Sequence, residues 1–89
     1  MILGQVVGSV VATQKDKSLL SKKLLIVKSI DLDGNLLDSF VVAVDIVGVG
    51  VGEKVLVVSG SSARQTEETK DRSIDSVIVA KVDSYQVVK

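Results

Sequence analysis

The residues best placed to do chemistry lie in one stretch, Val47 to Arg64. Gly48-Val49-Gly50-Val51-Gly52 alternates glycine with valine, and Glu53-Lys54 and the apolar run Val55-Leu56-Val57-Val58 follow. Glycines spaced this way let backbone N–H groups approach a phosphate, so the run invites a nucleotide reading. A dinucleotide fingerprint, however, needs a strand, then the glycines, then a helix whose N-terminus holds the pyrophosphate. Here a second strand follows the glycines, and no Gly-Lys-Ser/Thr triplet supplies a phosphate-binding lysine. The run therefore reads as a tight loop between strands that uses small residues for close backbone approach.

Ser61 and Ser62 stand next to Gly60, where a nucleophile could sit. The chain has no histidine, so the serine–histidine mechanism is excluded, and no lysine lies in an apolar context that would make it a base. Capping or backbone hydrogen bonding is the expected role of the two serines. Asp31-Leu32-Asp33-Gly34-Asn35 has a calcium-loop flavour, but its glycine falls at the fourth position rather than the sixth and strands flank it. It reads as a hairpin turn. Arg64 has two readings, a solvated surface arginine or an interface or pore arginine whose five fixed donors bridge subunits.

Composition narrows the function classes further. The 89 residues carry 11 acidic and 11 basic side chains, for a net charge of zero. With one Phe, one Tyr and no Trp, the chain lacks both the basic groove and the stacking platforms of a nucleic-acid binder. It has no cysteine, so neither a disulfide framework nor a zinc–thiolate site is available. No cofactor or metal is expected. The first lysine is Lys15, so no basic signal-peptide region precedes the apolar start. No uncharged run reaches the roughly 18–20 apolar residues of a membrane span. A cytoplasmic location is the expectation.

The elements that must position these residues are strands. Roughly a fifth of the chain is valine, which suits a pleated sheet. Met1 to Thr13 alternates as a long first strand, with Ile2, Gly4, Val6, Gly8, Val10 and Ala12 forming one small or apolar face. The second strand is predicted over Lys23–Ile30, the third over Phe40–Val47, the fourth over Lys54–Ser59 and the fifth over Ser76–Asp83. The turn at Asp33-Gly34-Asn35 joins the second and third. Tyr85–Val88 is expected to add a short terminal strand. Ser61–Thr69 suits one or two helical turns, and the polar Gln65–Ser73 suits an exposed loop.

Five or six short strands with little helix make a small all-β barrel in a single domain, residues 1–89. Several strands are apolar on both faces; in the fourth, Val55 and Val57 point one way and Leu56 and Val58 the other. Too few helices exist to cover the outer faces, so another chain is expected to do so. A homo-oligomer follows.

At this point the residues resemble a known pattern, that of the pentamer-forming vertex proteins of bacterial microcompartments, the EutN/CcmL family. The resemblance runs through Gly8 with Val10-Val11-Ala12-Thr13-Gln14-Lys15, then Lys23-Leu24-Leu25-Ile26-Val27 and Ala43 to Glu53. It continues with Val55-Leu56-Val57, Gly60-Ser61-Ser62-Ala63-Arg64 and Ile74 to Asp83. The chain departs from the pattern at Val49, where alanine is usual, at Ser21, where glycine is frequent, and at Ser73, where proline is frequent. The resemblance implies a five-stranded OB-like barrel with a short helical turn and a terminal strand. It implies a homopentamer capping a shell vertex in the cytoplasm, beside hexameric shell proteins, with no enzymatic activity. It places Gly48, Gly50, Gly52, Glu53, Ser61, Ser62, Ala63 and Arg64 at subunit contacts or near a central pore. The alternative is a small OB-like module that binds a ligand or nucleic acid.

Overall fold

The computed structural model describes residues 1–11, 22–60 and 76–88. Five strands form the fold: β1 (Ile2–Val10), β2 (Lys23–Ile30), β3 (Leu36–Asp45), β4 (Lys54–Ser59) and β5 (Ser76–Val82). They close into a barrel in the order β1-β2-β3-β5-β4, antiparallel throughout except for the parallel β3–β5 contact. An all-β closed barrel of five strands is the architecture expected from the valine-rich, two-faced pattern. The first strand ends at Val10, with Val11 outside it; Ala12 and Thr13, the short helical turn expected at Ser61–Thr69 and the loop at Gln65–Ser73 fall outside the described residues.

Closure fills the interior. Val6, Leu25, Val27, Ala43, Val49, Val55, Val57 and Ile78 form one buried cluster, with Ile2 and Val41 packed against it. Each strand contributes to it, which is what alternation dictates once the sheet curls on itself. Gly4 is needed where β1 crosses β2 closely. A Cβ there would lie 2.5 Å from Val27 Cγ1 and 2.7 Å from the Lys28 carbonyl oxygen.

Three expectations are corrected. The even face of β1 does not stay inside. A bulge between Val6 and Gly8 shifts the register from Val6↔Val27 to Gly8↔Ile26. Beyond it, Gly8 and Val10 share the outer face with Ile26 and Leu24. An extra residue in one strand turns the alternation over and sharpens the bend, and strict period-2 reading cannot see it. Second, β3 runs from Leu36 to Asp45 rather than from Phe40 to Val47. Its first half, Leu36 to Phe40, is exposed on both faces because only β2 pairs with it; β5 joins β3 at Val44 and Asp45 alone. That half carries no inward–outward contrast for a sequence reading to detect. Third, Tyr85–Val88 is not a strand. The Tyr85 hydroxyl instead donates to the Leu32 carbonyl across 3.1 Å, tying the C-terminal segment to the β2–β3 turn by a side chain rather than a ladder.

That turn is held as its residues predict. Asp31 Oδ1 accepts the Asp33 and Asn35 backbone N–H groups, each at 2.9 Å, and Asp31 N–H donates to the Asn35 carbonyl at 3.0 Å. The carboxylate that suggested a calcium loop is occupied by its own backbone. Those bonds, led by the one from Asn35, hold Asp31 below the usual carboxylate range.

Candidate functional site

The glycine loop runs from the end of β3 to the start of β4 and is pinned by a carboxylate at each end. Asp45, the last residue of β3, accepts three backbone N–H bonds from the residues that follow. Val47 and Gly48 donate to its Oδ1 and Val49 to its Oδ2, all at 2.9 Å. A short acidic side chain at the end of a strand folds the next residues around itself in this way because its oxygens reach N–H groups two to four positions on. Lys23 Nζ adds a bond to the Val49 carbonyl at 3.3 Å. Burial acts to raise the Asp45 pKa, but the three N–H donors and the Lys23 charge outweigh it, and the net shift is downward.

At the other end, Glu53 Oε1 accepts the Gly50 N–H at 2.8 Å and Glu53 N–H donates to the Gly50 carbonyl at 3.2 Å. Its Oε2 pairs with Lys81 Nζ at 2.8 Å, bringing in β5. The Lys81 contact and the Gly50 bond lower the Glu53 pKa, and Glu53 in turn raises that of Lys81. β1 holds the same end: Gly52 N–H donates to the Val6 carbonyl at 2.8 Å and Val6 N–H to the Glu53 carbonyl at 3.0 Å. Gln5 Nε2 adds a 3.3 Å bond to the Gly52 carbonyl.

Sidedness within the loop follows from this frame. Gly48 and Gly52 take φ of 95° and 92°, the left-handed region that a β-carbon disfavours. The valines between the glycines divide: Val49 is buried in the core at 2% exposure, whereas Val47 and Val51 stand out at 44% and 68%. Val49, where the resemblance leads to an expectation of alanine, thus puts a larger side chain into the core.

Four of the eight expected site residues, Gly48, Gly50, Gly52 and Glu53, come together here. Ser61, Ser62, Ala63 and Arg64 lie outside the described residues. Sequence reasoning missed Asp45, Lys81 and Lys23 as the residues that shape the loop. The signal for Asp45 was present, an acidic residue at a strand end followed by glycine three positions later. The Glu53–Lys81 and Lys23–Val49 contacts are long-range and leave no local mark.

The outside of the barrel carries two apolar surfaces. One is on β2 and β3, where Val41 and Ala43 face in and Phe40 and Val42 therefore face out, 60% and 44% exposed. Their register partners on β2 are Lys28 and Ile26. The other spans β1, β4 and β5, where Leu3 pairs with Leu56 and Leu56 with Ala80. There the C-terminal segment leaves β5 and crosses toward the β2–β3 turn. A groove of about 520 Å³ lies along it, lined by Leu3, Leu56, Ala80, Val82, Asp83 and Tyr85 among others.

An interior filled by side chains with an apolar exterior is the arrangement of a subunit that meets another chain. The relatives agree. The family model described as ethanolamine utilisation protein EutN/carboxysome matches residues 1–83.

The chain belongs to the EutN/CcmL family.

It is 48% identical to the bacterial microcompartment shell vertex protein PduN of Salmonella typhimurium, covering 94% of this chain and 97% of that one. It is 44% identical to the carboxysome shell vertex protein CcmL of Nostoc sp., covering 98% and 87%. In structure it matches GrpN, a pentameric microcompartment shell protein of Rhodospirillum rubrum, with a TM-score of 0.90 at 43% identity, covering 99% of this chain and all of that one, 100%. Family membership and barrel together establish the small β-barrel shell protein as the right class.

Proposed function

We propose that five copies of this chain close into a ring that caps a vertex of a polyhedral bacterial microcompartment shell, and that its work is structural. The observation that carries this reading is the pair of unlike apolar surfaces on one closed barrel. A ring needs a heterologous contact, one patch meeting a different patch on the next copy, and a single self-complementary patch would give a twofold dimer instead. The vertex names of the relatives and the pentameric state of the Rhodospirillum rubrum protein support the fivefold count.

The whole chain, residues 1–89, then acts as one shell domain in the cytoplasm, with hexameric shell proteins as its neighbours. A flat layer of hexamers cannot close by itself, and fivefold corners supply the curvature. The clamped loop contributes Gly48, Gly50, Gly52 and Glu53 to subunit contacts or to the rim of the axial opening, together with the Ser61–Arg64 turn. Because the N–H groups of Val47, Gly48, Val49 and Gly50 are bonded to Asp45 and Glu53, the exposed Val47 and Val51 are the side chains the loop offers a neighbour. A reading as a ligand- or nucleic-acid-binding module gains nothing from the relatives, which are named as shell proteins.

Native mass spectrometry of the purified chain tests the proposal. The expected species has about five times the 9.4 kDa chain mass. A stable monomer at micromolar concentration overturns it.

A further inference from the structure

We infer that Phe40 of one copy seats in the groove formed by Leu3, Leu56, Ala80 and Tyr85 of the next copy. The inference rests on the ring proposed above and names the two surfaces that close it. Four observations lead to it.

The two surfaces differ in shape. Phe40 is the only phenylalanine of the chain and projects from the outer face of the β2–β3 ribbon at 60% exposure, a convex apolar knob. The groove is concave, about 520 Å³, with an apolar floor of Leu3, Leu56 and Ala80 and an aromatic wall at Tyr85. Aromatic knobs in desolvated pockets are the usual energetic centres of interfaces, and aromatic pairs gain from offset or edge contact.

The two surfaces also differ in position. In the barrel order β1-β2-β3-β5-β4, the knob lies on β2 and β3, and the groove centres on β4 between β1 and β5. They are separate outward surfaces on different strands, and the Tyr85 wall of the groove reaches the β2–β3 turn at Leu32. A contact between them leaves a free groove at one end and a free knob at the other, so copies add head to tail until the ring closes.

The knob stands on backbone able to present it. Leu36 to Ala43 of β3 pair with β2 alone among the described residues, so the ribbon extends beyond the closed part of the barrel. Each rim carries charges of both signs: Lys28 is the register partner of Phe40 and exposed Asp38 lies two residues before it, while Asp83 and Lys81 both line the groove, with Lys81 engaged by Glu53. In this register Lys28 of one copy can meet Asp83 of the next while Glu53 holds Lys81.

The chain has no cysteine, which makes a linkage test direct. The double variant Phe40→Cys/Ala80→Cys is treated with a short bis-maleimide, alongside each single variant. The expected result is a ladder of covalent dimer to pentamer from the double variant and only monomer on denaturing gels from either single variant. A covalent dimer from Phe40→Cys alone shows the knob meeting itself and overturns the inference. So does a double variant that is pentameric by native mass spectrometry yet gives no ladder; in that case the ring stands and only the seating fails. A monomeric wild-type chain overturns both. As a second measurement, Phe40→Asp is expected to run as a monomer with an unchanged far-ultraviolet circular dichroism spectrum, because Phe40 packs on no core residue. A pentameric Phe40→Asp overturns the seating.

Discussion

The loop from Asp45 to Glu53 and the outer faces of the barrel are both built from glycine- and valine-rich sequence, but they spend it differently. In the loop, hydrogen-bonding capacity is consumed inside one chain. Asp45 takes three N–H groups, Glu53 takes one more and a lysine, and Val49 turns into the core. On the outer faces, Phe40 and Val42 stand exposed among the described residues and half-buried Leu3 and Leu56 line the groove, the apolar area proposed to meet a second copy. The comparison teaches that the residues most suggestive of a binding site can be those that make a fold rigid. The assembling surface is made of side chains that look ordinary in the sequence.

The comparison can be broken at its strongest point first. Leu25→Ala removes a side chain 2% exposed from the cluster that both regions rest on. It is expected to lower unfolding free energy by about 2–5 kcal/mol, read from urea titrations at fixed protein concentration. An effect below that range would mean that the ring, rather than the barrel core, carries most of the stability.

Asp45→Ala comes next. It leaves the N–H groups of Val47, Gly48 and Val49 without their acceptor, and the expected loss is roughly 1–3 kcal/mol. Faster hydrogen exchange at those three amides, with the core amides still protected, would show a locally released loop. Unchanged exchange would show that β1 and Glu53 hold it without Asp45.

The same clamp has a pH signature. Asp45, Glu53 and Asp31 all have folded pKa values below their ordinary ones. A lowered folded pKa gives stability that is complete above the unfolded value and lost as pH falls through the folded one. Stability is therefore expected to hold near neutrality and decline below about pH 4–5. Asp45→Asn is expected to flatten that decline, measured as melting temperature against pH; a slope equal to wild type would remove Asp45 from the account.

Smaller still is Glu53→Gln. It keeps an acceptor for Gly50 and loses the charge facing Lys81, a pair with side chains 31% and 52% exposed. Screening by water makes its effect smaller than that of Asp45→Ala, and added salt is expected to shrink the difference from wild type. The smallest change is Tyr85→Phe, which removes one exposed bond to the Leu32 carbonyl and is expected to cost about 0.5 kcal/mol. A pentamer weakened by it beyond that would place the Tyr85 hydroxyl at the subunit contact itself.

Much of this was legible in the residues. Short apolar runs bounded by polar residues, Leu24 to Val27, Val55 to Val58 and Val77 to Ala80, located β2 and β4 to the residue and gave β5 to within one. The Asp31–Asn35 turn was readable from short-range chemistry. The bulge after Val6 was not, because Val6-Val7-Gly8 fits either register and only the pairing with Ile26 and Val27 selects one. The early start of β3 was hidden because Leu36 to Phe40 pack against no core. For the site, the glycine run announced a special loop, but its clamp joins Asp45, Glu53, Lys81 and β1, which lie far apart in sequence.

The sequence by itself determined the strand content and the surplus of apolar surface, since valine content and apolar runs are local or compositional facts. Its ordered motifs also carried the family. Only the tertiary structure decided where the surplus goes. Barrel closure, the β1 bulge and the crossing C-terminal segment place a knob on β2 and β3 and a groove along β1, β4 and β5. Which outward faces become neighbours depends on strand order, and strand order is a long-range property that no local pattern encodes.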